Sequence, residues 1–128
     1  MDVVLDPQSF DEFAEDVGSV VIALEFLTTF ASLLAGRIRR IEGALKDQDR
    51  EETLTALLSL HASATMAGAT QLQVSVTRAL ADERVETTPP GPLVRKLEGQ
   101  ADLFRTALTE LHSHHPMTSV PNVVALKR

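Results

Sequence analysis

The strongest constraint on how this chain can fold is one continuous apolar stripe between Val20 and Leu45. Val20, Leu24, Leu27, Ala31, Leu34, Ile38, Ile41 and Leu45 follow one another in steps of three and four, which places them on one face of an α-helix. Phe30 and Leu33 widen that stripe. The predicted helix, from about Ser19 to Lys46, is roughly 40 Å long at 1.5 Å per residue, and it needs partners of similar length along its apolar face. Its most apolar stretch, Val20 to Leu34, is broken by Glu25, Thr28, Thr29 and Ser32, so a core helix is expected and not a membrane span. Gly36 and Gly43 lie inside the helix, each at a cost of about 1 kcal/mol against Ala, and are expected to permit close packing.

The other segments also read as helices. Asp6 is a natural N-cap for a short helix from Pro7 to Val17, with proline at its first position and Phe10, Phe13, Ala14 and Val17 on one face; Gly18 ends it. Asp47-Gln48-Asp49 is a turn, and Asp49 caps a third helix whose expected buried face is Leu54, Leu57, Leu60, Ala64 and Ala67. Gly68 interrupts that helix. A fourth stretch runs from about Ala69 to Arg84, with Leu72, Val76 and Leu80 inward. The run Thr87-Thr88-Pro89-Pro90-Gly91-Pro92 is a break. A last helix follows, with Leu93, Leu97, Ala101, Phe104, Leu108 and Leu111 at helical spacing. Residues 116–128 show no sustained period and are expected to form a flexible tail on a helical domain covering residues 1–115. No strand pattern and no internal repeat is visible.

Composition removes several classes of function. The chain has 128 residues, enough for one domain with a workable core. Cysteine is absent, so neither a disulfide framework nor a thiolate metal site is possible. The net charge of -6 repels nucleic-acid phosphates, and with no Trp or Tyr and only five Phe, aromatic platforms for bases are not expected. Asp2 and Asp6, with no basic region near them, argue against a signal peptide, and a cytoplasmic protein is expected.

The order of the helices, with the string Leu57-Leu58-Ser59-Leu60-His61-Ala62-Ser63-Ala64-Thr65-Met66-Ala67-Gly68-Ala69, resembles the histidine-phosphotransfer (HPt) domain. That family is a phosphorelay module with the motif Ala-His-x-Leu-Lys-Gly followed by a later Gly-Ala. The opening Val4-Leu5-Asp6 through Glu15-Asp16-Val17-Gly18 is similar to the family's Asp-led first helix, and Phe30 matches a core aromatic. The likeness covers roughly residues 4 to 112. It implies an all-α, antiparallel up-down four-helix bundle with a short N-terminal helix. It also implies a role in two-component signalling, with a response-regulator receiver domain and/or a histidine kinase as partner.

The register of the likeness decides what it implies. In the family, the Gly-Ala pair lies ten and eleven positions after the phospho-histidine; counting back from Gly68-Ala69 gives Leu58. The family's leucine two positions on is Leu60, and its aspartate nine positions before is Asp49. Leu58 therefore stands in the place of the phosphorylated histidine, His61 in that of the lysine, and Ala62 in that of the glycine. Moving His61 into the histidine slot puts Gln71 in place of the glycine and Ser63 in place of the leucine, and turns the helix by about 300°.

Leucine has no nucleophile, so position 58 cannot accept a phosphoryl group from a phospho-aspartate. Thr55, Leu58, Ala62 and Thr65 share one nearly uncharged face, with His61 alongside. In the parent fold this is the docking face, and burying Leu58 under a partner supplies about 1.5–3 kcal/mol, roughly ten- to a hundredfold in affinity. The expected protein is thus a degenerate HPt that binds a receiver domain without carrying phosphate. It is not expected to be an enzyme, and no cofactor or metal is expected. Two alternatives stand beside this. His61, whose neutral imidazole is a competent nucleophile near pH 7, is a displaced phosphoryl acceptor in the first. In the second the chain is a helical oligomerisation module; as a phosphorelay protein it is expected to be a monomer or weak homodimer.

Weaker candidates have simpler readings. His112, His114 and His115 sit near a helix C-terminus and its negative dipole end, with no carboxylate spaced to complete a zinc site. Arg37, Arg39 and Arg40 are expected to form a solvated face with Glu42, and Ser59 and Ser63 have no base nearby for hydrolase chemistry.

Overall fold

A computed structural model describes residues 4–113. They form five α-helices: α1 (Pro7–Val17), α2 (Val20–Lys46), α3 (Arg50–Ala67), α4 (Thr70–Leu80) and α5 (Pro90–Ser113), with a short 3-10 turn at Val85–Thr87 before α5. No strand occurs among the described residues. The expected tail at residues 116–128 lies outside them.

Side chains stop the fraying of three helix starts. The Asp6 carboxylate accepts from the Gln8 N–H at 3.0 Å, the Ser19 hydroxyl from Ile22 at 3.1 Å and the Asp49 carboxylate from Glu52 at 3.0 Å. The Ser9 hydroxyl also donates to Asp6 at 2.8 Å, and chiefly this bond holds the Asp6 carboxyl below the usual carboxylate range.

Two of the helix ends are made by glycine. Gly18 and Gly68 close α1 and α3 in the left-handed region, at φ 77° and 70°. They differ in surroundings: a Cβ on Gly18 would meet nothing within 4 Å, whereas one on Gly68 would lie 3.2 Å from the Ser9 Cβ. The Gly68 carbonyl also accepts the Asp6 N–H at 2.9 Å, fastening the start of α1 to the α3–α4 turn. Gly68→Ala is expected to lower stability by about 1–2 kcal/mol from the backbone conformation alone, with a further loss as Ser9 is displaced. Urea unfolding beside Gly18→Ala, which carries the backbone cost without the clash, measures that excess; equal losses in the two variants would show that α1 is not seated on this turn.

Helix α2 lies at the centre, packed against α1, α3 and α5, while α3 packs on α4 and α4 on α5. Its buried residues include Leu24, Leu27, Phe30, Leu34, Ile38, Ile41 and Leu45, and they meet Leu57 and Leu60 of α3, Leu72 and Val76 of α4, and Leu97, Ala101 and Phe104 of α5 in one cluster. Phe30 and Phe104 touch edge to face at 5.2 Å, tying α2 to α5, and Phe13 lies 5.0 Å from Phe26, tying α1 to α2. By length and composition alone α2 is apolar enough to cross a membrane.

Several expectations change. Leu54 is only half-buried, and Thr53 and Ala56 take the inward positions beside Leu57. Leu33 and Val17 are exposed. Neither Gly36 nor Gly43 sits at a close helix contact: a Cβ on Gly43 would meet nothing within 4 Å, and one on Gly36 only the end of Arg39 at 3.8 Å. Helix α4 stops at Leu80 and not near Arg84, because the Asp82 carboxylate accepts the Arg84 N–H at 2.9 Å and turns the chain, and Val85 is then buried. Helix α5 begins at Pro90, three residues before Leu93, with a proline where its missing N–H is harmless.

Candidate docking surface

Adjacent leucines on α3 point in opposite directions. Leu57 is fully buried, whereas Leu58 is 56% exposed. At about 100° per residue, Thr55, Ala62 and Thr65 fall on the same side as Leu58, and all three are exposed. Four of the five residues singled out in the sequence thus form one open, uncharged face. The fifth, His61, is half-buried on its flank, turned about 60° from Leu58 and displaced about 4.5 Å along the axis. The Thr65 hydroxyl donates to the His61 carbonyl at 2.8 Å, which leaves the imidazole out of that bond.

The surface extends further than the sequence suggested. Met66, one turn beyond Ala62, is 57% exposed. Across from α3, Leu33 of α2 is 46% exposed. It lines a shallow groove of about 350 Å³ with Gly36, Arg37, Arg40 and Ser59. The signal for Leu33 was present but misassigned, since its position at the edge of the α2 stripe fits either burial or exposure. Met66 had a signal too, as it lies four residues after Ala62.

Arg37 and Arg40 of α2 are organised by α3 and not by Glu42. Arg40 donates twice to the Glu52 carboxylate, at 2.6 and 3.2 Å, and this hydrogen bonding holds the Glu52 carboxyl below its ordinary range while raising the Arg40 guanidinium. Glu42 instead pairs with Lys46 at 3.6 Å. Arg37 reaches across to α3, where its Nη1 donates to the Ser59 hydroxyl at 2.9 Å. Arg37 Nε is shielded from solvent with no acceptor. Arg37 and Arg39 take part in no ion pair among the described residues.

The remaining candidates lie elsewhere. His112 Nε2 is 3.3 Å from the Thr28 hydroxyl, at the other side of α2. No group of three histidines or carboxylates is placed to hold a metal ion among the described residues, and His114 and His115 fall outside them. Ser59 is bonded to an arginine, which cannot act as a base toward it.

No protein-family model, no curated protein and no solved structure matches this chain.

Proposed function

We propose that this chain is a docking protein of the phosphorelay, built like an HPt domain but lacking its phosphoryl-accepting histidine. The observation that carries this reading is the exposure of Leu58 on an uncharged face of α3. A leucine there can be covered by a partner but cannot form a bond to phosphorus. The positions that set the register support it. Asp49 caps α3, Leu60 is buried, and Gly68 ends the helix in the left-handed conformation with Ala69 buried behind it.

In this reading the core of the fold is an antiparallel four-helix bundle of α2, α3, α4 and α5, with α1 laid across one end. The short links at Asp47–Asp49 and Gly68–Ala69 favour antiparallel neighbours, and the packing pairs α2–α3, α3–α4, α4–α5 and α5–α2 form a closed ring. The partner is the receiver domain of a response regulator, engaged in the cytoplasm without transfer of phosphate. The chain acts there as an adaptor or as a competitor for docking.

The test is incubation with a receiver domain phosphorylated on its aspartate, followed by gel filtration and acid-labile phosphate analysis. A complex that forms without label on this chain is the expected result. Label that appears on the wild type and vanishes in His61→Ala would replace this reading with a phosphoryl carrier using His61. A dimer that binds no receiver would replace it with an oligomerisation module.

A further inference from the structure

The docking face has an electrostatic edge that the motif does not contain. In the register described above, His61 occupies the place of the family's lysine, so the positive charge beside the docking position is missing from α3. The structure places one from α2 on the other flank of Leu58, about 160° around α3 from His61. Arg37 crosses the helix–helix groove and is tethered through Nη1 to Ser59, the residue next to Leu58. Its Nε is buried without an acceptor, and Nη2 has no partner among the described residues. Ser59 is neutral, so the charge of Arg37 is not compensated by this contact.

We propose that Arg37, held by Ser59 at the edge of the Leu33, Leu58 and Met66 surface, is the carboxylate-binding group of the docking site. The partner it fits is a protein face with clustered carboxylates beside an apolar contact. Charge complementarity carries the assignment. The chain has a net charge of -6, so most of its surface repels an acidic partner. Within this acidic chain, Arg37 and Arg40 line the groove, and of the two only Arg40 is neutralised, by Glu52. Such a partner is drawn to this edge and repelled elsewhere, which fixes its orientation as well as its affinity. The Ser59 bond holds the guanidinium in place before binding, which lessens the ordering cost on association. This inference rests on reading the Leu58 face as a docking site.

Two probes separate its failure from that of the proposed function. The first is an isolated receiver domain, titrated calorimetrically at low and high salt against wild type, Arg37→Gln and Ser59→Ala, with circular dichroism to confirm that each variant is folded. Arg37→Gln is expected to weaken binding about tenfold at low salt and to flatten its salt dependence. Ser59→Ala is expected to weaken binding severalfold while keeping the salt dependence. The second probe is a hexaglutamate peptide, followed through the arginine Nε–H resonances. It is expected to shift Arg37 saturably, and the shift is lost at high salt. Receiver binding unchanged in Arg37→Gln overturns the carboxylate assignment and leaves the docking function intact. Hexaglutamate binding at Arg37 with no receiver binding supports the assignment and removes the receiver as partner. Absence of both effects overturns both.

Discussion

Leu58→Asp is expected to weaken receiver binding by a hundredfold or more while moving the unfolding midpoint by no more than about 3 °C. The two parts of this expectation have one cause. Leu58 is 56% exposed, so the folded monomer gains little from it and loses little when it becomes polar. In the proposed complex the position is covered. The substitution then removes about 1.5–3 kcal/mol of apolar burial and adds the cost of taking a carboxylate out of water. An acidic partner adds like-charge repulsion. Calorimetric titration with the receiver domain and a thermal melt of the same preparation measure both halves. Binding that survives the change removes Leu58 from the interface; a variant that unfolds would mean the side chain is part of the core.

The second large effect lies on the opposite side of the same scaffold. Phe104→Ala is expected to reduce folding stability by about 3–5 kcal/mol. Phe104 is fully buried and meets Phe30 edge to face at 5.2 Å and 80°. It sits between α2 and α5, and truncating it leaves a void that two long helices cannot collapse without moving along their whole length. Domains of this size have about 5–15 kcal/mol in total, so the variant is expected to unfold at a markedly lower urea concentration. Comparing it with Phe30→Ala and the double variant isolates the ring–ring contribution. A loss below about 1.5 kcal/mol would contradict the tight packing of α5 on α2.

Most of the fold was legible because its signals are local. The α2 stripe, the capping residues Asp6 and Asp49 and the terminating Gly18 and Gly68 each act within a few residues of themselves, and the helices begin and end where those residues stand. The misplaced boundary was at α4. Arg50, at the start of α3, donates to the Glu83 carbonyl and to the Glu86 carboxylate at 2.9 Å, fixing the segment after Leu80 from more than thirty residues away. The Asp82 turn that ends α4 is local, but no local pattern contains the Arg50 contact that holds the following segment in place. The third helix shows a related limit. Its period is shared between apolar and small residues, so Ala56 and Thr53 compete with Leu54 for the inward positions, and only packing against α2 and α4 decides between them.

The candidate site divides in the same way. Leu58 and its neighbours on α3 could be read from one helix, since a helical face is a property of spacing. The α2 half could not. Whether Leu33 faces the core or solvent, and whether Arg37 reaches Ser59 or stays in water, depends on how two helices are set against each other. The lysine position was likewise a property of the motif, while the cation that borders the Leu58 face, beside Ser59, comes from outside the motif.

The hydrogen bond from Asp6 to Gly68 also has a practical side. It brings the start of α1 to the turn immediately after Met66, at one margin of the exposed face. Anything joined ahead of residue 4 is therefore leashed close to that margin. A purification tag there competes sterically with an incoming protein, whereas a fused binding partner on a short linker arrives at high local concentration. The choice of which end to extend determines whether an assay of this surface is blunted or sharpened.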